Sequence, residues 1–439
     1  MIAVFAQKEH LFPVSSFMQI LAVGAGATVL FFSEARAGSD LLPSANPAPQ
    51  DEEPADSWFT TGFSDFSLHH LNFILPSYIQ VGPEGKLTGD LKWDIEGFSQ
   101  ATVHADVSIT NIQIDHRGLA DHPVNIPDLS LRGAITWNRS EKIISFQNLS
   151  LGRGGVMARL DGAVSYKNAP AVRLSLFLPE MEIQQVLNAL PADLIPKLMG
   201  AQVSGTIAMN MSLMADPANP ASFKWEPGIR VSNYHLFREP PGISILALKS
   251  DAIHEIRKNG VAIRRILLSR DNPRYVSYDQ LGEDLRKAIL KAEDAGFFNH
   301  SGFNLEAIRM AMVRDLSTGE FVRGGSTITQ QLAKNLFLTG QKTLSRKLQE
   351  AMLAYALEQE LTKQKILEIY ANIIEWGVDV YGIAEAADHY FSKPPSSLTN
   401  EEAKTLASII RQPKKRDFNP KSIPFPSEEA MTERPFVDE

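Results

Sequence analysis

From about residue 58 to 250 apolar and polar positions alternate along the chain. Val103, Ala105, Val107 and Ile109 recur with polar residues between them, and Ile112 and Ile114 continue after a slip in register. Val172, Leu174 and Leu176 follow the same rule, as do the residues from Ile207 to Leu213. A period of two belongs to half-buried strands, so this stretch is predicted to be β-rich. A loose repeat lies inside it. Leu87-Thr-Gly-Asp-Leu-Lys-Trp93 is echoed by Leu131-Arg-Gly-Ala-Ile-Thr-Trp137, Leu160-Asp-Gly-Ala-Val-Ser-Tyr166 and Val203-Ser-Gly-Thr-Ile-Ala-Met209. Repeated strand units predict one long, curved antiparallel sheet. Between the last two copies, Glu182 to Met199 reads as a short helical insertion broken by Pro191 and Pro196.

After about residue 275 the period lengthens to 3.6. Apolar faces predict helices over Asp284–Ala292, Leu305–Leu316, Thr327–Leu336, Leu344–Leu361, Lys363–Asn372, Ile383–Phe391 and Glu401–Ile410. Thr399 with Glu402 has the spacing of a capping box, and Thr362 that of a simple N-cap. The chain therefore divides into a β-rich region 58–250, a connector 251–284 and a helical domain 285–413, with a Pro- and acid-rich tail 414–439 expected to be disordered.

The N-terminus adds a different signal. No residue from Leu11 to Phe32 is charged, and as a helix this run would span roughly 33 Å, enough for a bilayer core. Ala35-Arg36-Ala37 has the small-x-small form of a signal peptidase site. Residues 1–37 are thus an anchor or a signal segment; the length of the run favours a retained anchor. Residues 38–57, rich in Pro, Ser, Ala and acids, read as a flexible linker. With 439 residues the chain has room for two or three cores, and its net charge of -8 argues against general nucleic-acid binding. The absence of cysteine excludes disulfides, thiolate catalysis and cysteine-bound zinc.

Three polar segments could carry chemistry. Glu293-Asp-Ala-Gly-Phe-Phe-Asn-His-Ser-Gly-Phe-Asn304 sets two acids beside aromatics and His300; a lone Glu-Asp pair is usually a solvated helix end. Gly324-Gly-Ser-Thr-Ile-Thr-Gln-Gln-Leu-Ala-Lys-Asn335 runs from a double glycine into a helix start bearing Ser326, Thr327, Gln330, Gln331, Lys334 and Asn335. Helical spacing puts Thr327, Gln331 and Lys334 or Asn335 on one face, a set of donors at a dipole-positive end that suits phosphate or sugar oxygens. Its glycine-to-lysine spacing is not that of a Walker loop. In Arg346-Lys347-Leu-Gln-Glu350, Arg346 and Glu350 share a helix face at i, i+4, which alone would be an ordinary surface ion pair.

In order and spacing, these three segments together with "KILEIYANIIEWG" and "YGIAEAADHYFSKPPSSLTNEEAKTLASIIRQP" resemble the five blocks of the peptidoglycan glycosyltransferases, glycosyltransferase family 51, over about 285–413. "NIIEWGVDVYGIAEAADHYF" is most similar to the monofunctional branch, and no Ser-x-x-Lys or Lys-Thr-Gly motif of a transpeptidase is present. The resemblance implies an all-α, lysozyme-like catalytic domain after the β-rich one, polymerising lipid II into β-1,4 glycan strands with inversion. It implies Glu293 as the general base that takes the acceptor hydroxyl proton, with Asp294, Phe297 and His300 in support. Lys334, Arg346 and Lys347 would stabilise the leaving lipid pyrophosphate, and Ser326, Thr327, Gln330, Gln331 and Asn335 would contact sugar and phosphate oxygens. Glu350 would sit near the donor pyrophosphate, helping to hold a divalent cation, Mg or Mn, or positioning the basic residues.

The same resemblance implies a bacterial inner-membrane protein with its catalytic domain on the periplasmic side, sensitivity to moenomycin, and transpeptidases and other cell-wall synthesis proteins as partners. Leu336, Phe337 and Leu338 suit either insertion at the bilayer surface or a helix-end core. Ala295, Asn304 and Ala371 depart from the family pattern, where arginine or glutamine, aspartate and leucine are common. The layout of 58–240 is similar to the groove-forming modules of the AsmA family of envelope proteins, with a generic β-sandwich as the alternative. Two rival functions stay open: a non-catalytic envelope protein with a relic helical domain, and a lytic enzyme using a single glutamic acid.

Overall fold

The computed structural model describes residues 58–72, 78–96, 99–167, 171–258, 261–318 and 324–410. The apolar run at 11–32, the linker 38–57 and the tail 414–439 lie outside the described residues. Among those described, no helix is long and apolar enough to cross a membrane.

The strands come first: β1 (Trp58–Ser67), β2 (Ile79–Glu96), β3 (Gln100–Ile114), β4 (Val124–Asn138), β5 (Ile143–Arg153), β6 (Val156–Ser165), β7 (Val172–Glu182), β8 (Gln202–Ala215) and β9 (Lys224–Arg238). Two short hairpins follow, β10 (Ala252–Lys258) with β11 (Val261–Leu268), and β12 (Glu375–Gly377) with β13 (Val380–Tyr381). The helices are α1 (Ile183–Ala189), α2 (Glu283–Glu293), α3 (Leu305–Thr318), α4 (Ile328–Phe337), α5 (Leu344–Glu360), α6 (Lys363–Ile373), α7 (Ile383–Phe391) and α8 (Asn400–Ile410). From α2 onward they begin and end within a residue or two of the 3.6-period segments. Thr362 caps α6 by accepting from the Lys365 N–H, and Thr399 and Glu402 exchange bonds as a capping box on α8.

The chain forms two compact units. The first contains the described residues up to Ile243, together with Asn304–Ser326 and Phe337–Ala356. Its frame is a single antiparallel sheet in which β1 to β9 lie in sequence order, each bonded to its chain neighbours. On β3 the predicted alternation is realised: Val103, Ala105 and Val107 are buried and the residues between them are exposed. Leu68, Val81, Leu87, Ala105 and Val107 form a core, with Phe63, Phe66 and Leu131 against it.

The repeat has a geometric meaning. Its four copies fall on β2, β4, β6 and β8, and the glycine of each, Gly89, Gly133, Gly162 and Gly205, has positive φ. A Cβ on Gly89 would lie 2.1 Å from the Asp106 carbonyl oxygen, and one on Gly162 would lie 2.0 Å from that of Arg173. Only glycine fits where the neighbouring strand comes this close at such a φ. The ladder is irregular beside two of these glycines, between Arg132 and Ala134 and between Ser204 and Thr206. Such irregularities bend and coil a sheet. The insertion after β7 is α1 and two 3-10 turns, Ala192–Leu194 and Pro196–Leu198, interrupted where the prolines stand.

The second unit contains Ser244–Phe303, Thr327–Leu336 and the described residues from Leu357 onward. Leu281, Ile289, Phe297, Leu332, Tyr370 and Trp376 are fully buried in it. The helical domain is not all-α as expected. Between α6 and α7 the pairing of Glu375 with Tyr381 and of Gly377 with Val380 makes a two-stranded turn. Asp379 takes a left-handed φ of 60° there, and the helical period is broken by a glycine at either end, Gly377 and Gly382.

Candidate active site

In the second unit the site is built on the end of one helix and the start of another. Glu293 is the last residue of α2 and Asp294 its C-cap, with extended backbone that turns the chain into the Phe297–Asn299 turn. The two adjacent acids have different surroundings. Asp294 is buried; its carboxylate accepts from His300 Nε2 at 3.0 Å and from the Ile328 backbone N–H at 3.1 Å. It therefore holds the first turn of α4, where the helix dipole favours a negative charge.

Glu293 is half-buried, and its Oε2 accepts from Gln331 Nε2 at 2.9 Å. The other end of that amide, Gln331 Oε1, accepts from the Tyr370 hydroxyl at 3.0 Å. Burial first, and then the charges of Glu293 and Asp294, push the Tyr370 phenol well above its usual range, so it stays a neutral donor. A donor on the oxygen and an acceptor on the nitrogen fix the orientation of Gln331.

Thr327 and Gln330 close the helix start. The Thr327 hydroxyl donates to the Gly302 carbonyl at 2.6 Å and accepts from the Gln330 N–H at 3.2 Å, and Gln330 Oε1 accepts from the Thr327 N–H at 3.1 Å. This is a capping box, and both side chains are buried. Their polar atoms bond within the fold in this structure. Lys334 is half-buried and Asn335 exposed further along α4; Leu336 and Phe337 at its end, and Leu338 after it, are half-buried.

Beneath these residues lies a network that sequence reasoning missed. Glu358, in the last turn of α5, accepts from the Thr329 hydroxyl and from Lys363 Nζ, the latter at 2.7 Å, and Lys363 stands 4.3 Å from the centroid of the buried Phe297 ring. Tyr370, Glu358 and Lys363 lie in helices whose sequence reads as ordinary amphipathic pattern. A tyrosine on the buried side of "ILEIYANII" was the one available signal, since a buried hydroxyl needs a partner.

The first unit carries the cationic group. In the first turns of α5, Glu350 is buried and is bonded by both Arg346 and Lys347. Lys347 Nζ also donates to Ser326 Oγ at 3.0 Å. Two cations share one carboxylate, leaving the cluster net positive. Arg346 Nε is buried and has no hydrogen-bond partner among the described residues, so it retains a donor for an anionic ligand. Among the described residues no three His, Asp or Glu side chains converge as a metal site. With both its oxygens engaged by Arg346 and Lys347, Glu350 does not fit the role of metal ligand in this arrangement.

Two of the three departures from the family pattern have a place in this geometry. Asn304 Oδ1 accepts from the Ala307 N–H at 2.9 Å, so it caps α3 as an aspartate would. Ala371 is fully buried and its carbonyl accepts from Trp376 Nε1 at 3.1 Å. Ala295 is exposed, and nothing in the structure explains the alanine there.

Residues 259–434 match the family model described as Transglycosylase. The biosynthetic peptidoglycan transglycosylase of Nitrosomonas eutropha is 47% identical over 161 residues, 35% of this chain and 66% of that one. Those of Nitrosospira multiformis and Alcanivorax borkumensis are each 48% identical, over 146 and 141 residues, covering 33% and 32% of this chain and 64% and 58% of theirs. The chain thus spans somewhat less than two thirds of the length of these curated relatives, and the family model begins after the nine-stranded sheet ends. Over residues 259–434 the chain is similar to the transglycosylase family.

Proposed function

We propose that the protein is a peptidoglycan glycosyltransferase that polymerises lipid II. The observation that carries the reading is the contrast between the two adjacent acids. Asp294 is buried and bonded to His300 and the α4 backbone, whereas Glu293 is held through one oxygen by an oriented amide. Glu293 is the carboxylate of the pair suited to receive a proton. In the reaction the acceptor's 4-hydroxyl oxygen bonds to the donor's anomeric carbon while its proton passes to Glu293. The bond from that carbon to the lipid diphosphate breaks with inversion, and the electron pair leaves on the diphosphate. Lys334, Arg346 and Lys347 supply the positive charge for that leaving group, and Ser326 and Asn335 are the hydrogen-bonding groups nearest to them in sequence. The lipid substrate places the reaction at a membrane surface, on the periplasmic side of the inner membrane, where transpeptidases would use the product.

The test is polymerisation of lipid II by the purified full chain in detergent, with products resolved by gel. Wild type is expected to give glycan polymer that moenomycin suppresses, and Glu293→Gln none. Lipid II binding without polymer in the wild type would establish the non-catalytic reading, and release of soluble fragments from preformed glycan would establish the lytic one.

A further inference from the structure

An isolated helix start leaves its first N–H groups without partners. For α5 the β-rich region of the same unit supplies them. The N–H groups of Leu344 and Ser345 donate to the carbonyls of Gly118 and Leu119, in the β3–β4 connection, each at 2.8 Å. The Arg346 N–H goes to Thr343 Oγ1 at 3.2 Å, and the Lys347 N–H to the Thr343 carbonyl at 3.1 Å. Two side chains complete the attachment. Ser345 Oγ donates to the Leu194 carbonyl at 2.7 Å, and Gln349 Oε1 accepts from the Lys197 N–H at 2.7 Å. Ser345 and Gln349 are both buried, and Gln349 Nε2 donates back to Ser345.

The two segments that receive α5 are also tied to each other. Asp193 Oδ2 accepts from the Asn125 N–H and Nδ2 at 3.0 and 2.7 Å, and His122 Nε2 is bonded to the Asp193 carbonyl at 3.0 Å. A second attachment runs through α3. Its Met312, Val313 and Leu316 pack with Ala215 and Phe223 at the end of the sheet. Gly325 lies against the same helix, where a Cβ would meet Ala311 at 3.3 Å, and the next residue, Ser326, accepts from Lys347.

We infer that the β-rich region is the mount of the cationic cluster, with Ser345 and Gln349 as positioning residues for Arg346, Lys347 and Glu350. Ser345 and Gln349 form one i, i+4 pair on α5, and Arg346 and Glu350 the adjoining pair. A rotation of the helix that frees the first pair therefore displaces the second. A module on a flexible tether would make no such buried polar bonds, because each would leave an unsatisfied group whenever it opened. The inference rests on the reading of the cluster as a diphosphate site.

The experiment uses the full chain and inorganic pyrophosphate as probe. Binding is measured by calorimetry, the polymerisation rate with lipid II, and backbone hydrogen exchange over residues 344–350. Ser345→Ala with Gln349→Met should weaken pyrophosphate binding at least fivefold, lower kcat similarly and speed exchange at Leu344 and Ser345. The conservative change Ser345→Thr keeps the hydroxyl and should stay near wild type. Val107→Ala, in the separate core with Leu68, Val81 and Leu87, controls for stability alone. If the double variant does not fold, the two single variants give the same comparison. Wild-type pyrophosphate affinity and exchange in the variants, or an equal loss in the control, overturns the inference. So does a wild type that does not bind pyrophosphate. A wild type that binds pyrophosphate through the cluster but makes no polymer overturns the polymerase reading and leaves this one standing.

Discussion

The chain of bonds from Tyr370 through Gln331 to Glu293 can be cut at one atom. Tyr370→Phe removes the hydroxyl that donates to Gln331 Oε1 at 3.0 Å and keeps the buried ring. A hydrogen bond of this kind contributes about 1 kcal/mol net, and the acceptor left behind costs about 1–3 kcal/mol of stability. The kinetic consequence follows from what the hydroxyl fixes. Without it, the Gln331 amide can turn its oxygen toward the Glu293 carboxylate, and the donor on Oε2 is lost part of the time. If about 1 kcal/mol of that ordering is present in the transition state, kcat falls about fivefold, since 1.36 kcal/mol is a factor of ten. The assay is the initial rate of polymerisation at saturating lipid II for wild type, Tyr370→Phe, Gln331→Met and the double variant. In the Gln331→Met background the tyrosine change should have no further effect, because the atom it acts on is gone. Additive losses, or an unchanged kcat in Tyr370→Phe, would refute the linkage.

Two further outcomes follow from individual contacts. Thr327→Val removes the hydroxyl that caps α4 and bonds the Gly302 carbonyl; it should cost about 1–2 kcal/mol of stability, seen as a lower melting temperature, with KM for lipid II unchanged. A severalfold rise in KM without a melting change would make Thr327 a substrate contact instead. His254 is held neutral by burial, its value pushed down to about 4 from 6.5. A folded-state value below the unfolded one gives stability that is full above about pH 6.5 and is lost as pH falls toward 4, amounting to about 3 kcal/mol at most. Denaturant midpoints from pH 7 to pH 4 should fall steeply in the wild type and less steeply in His254→Leu; parallel curves would remove His254 from the acid response.

What could be read from the chain depended on where each signal resides. The repeat glycines were legible because a strand approach too close for Cβ leaves one residue type at a fixed place in a period-two pattern. Arg346 and Glu350 were legible because helical spacing makes them neighbours whatever surrounds them. Thr327 and Gln330 were ambiguous: the same Thr-x-x-Gln spacing serves an exposed polar face and a capping box, and only burial distinguishes the two. Tyr370, Glu358 and Lys363 were out of reach because their partners lie 39, 29 and 5 residues away, on other elements or across a helix break. The attachment of α5 left no trace, since its acceptors on Gly118, Leu119 and Leu194 are backbone carbonyls that every residue type possesses.

The Glu-Asp pair shows why adjacency in sequence does not mean shared work. A carboxylate that organises backbone must keep its oxygens on fixed donors, as Asp294 does with His300 and the first N–H of α4. Protonating it would break the bonds that join the Phe297 turn to α4. A carboxylate that takes a proton during a reaction must change its charge without disturbing the fold. Glu293 meets that condition because the amide that bonds its Oε2 has its own orientation secured from the far side by a phenol that stays neutral. The helix boundary separates the two roles: Glu293 ends α2 and points where the helix directs it, while Asp294 has left the helix with extended backbone and turns toward α4. Exchanging the two residue types would leave composition and charge unchanged and still fail. The longer side chain would overreach the α4 backbone, and the shorter would fall short of Gln331 by the length of one methylene.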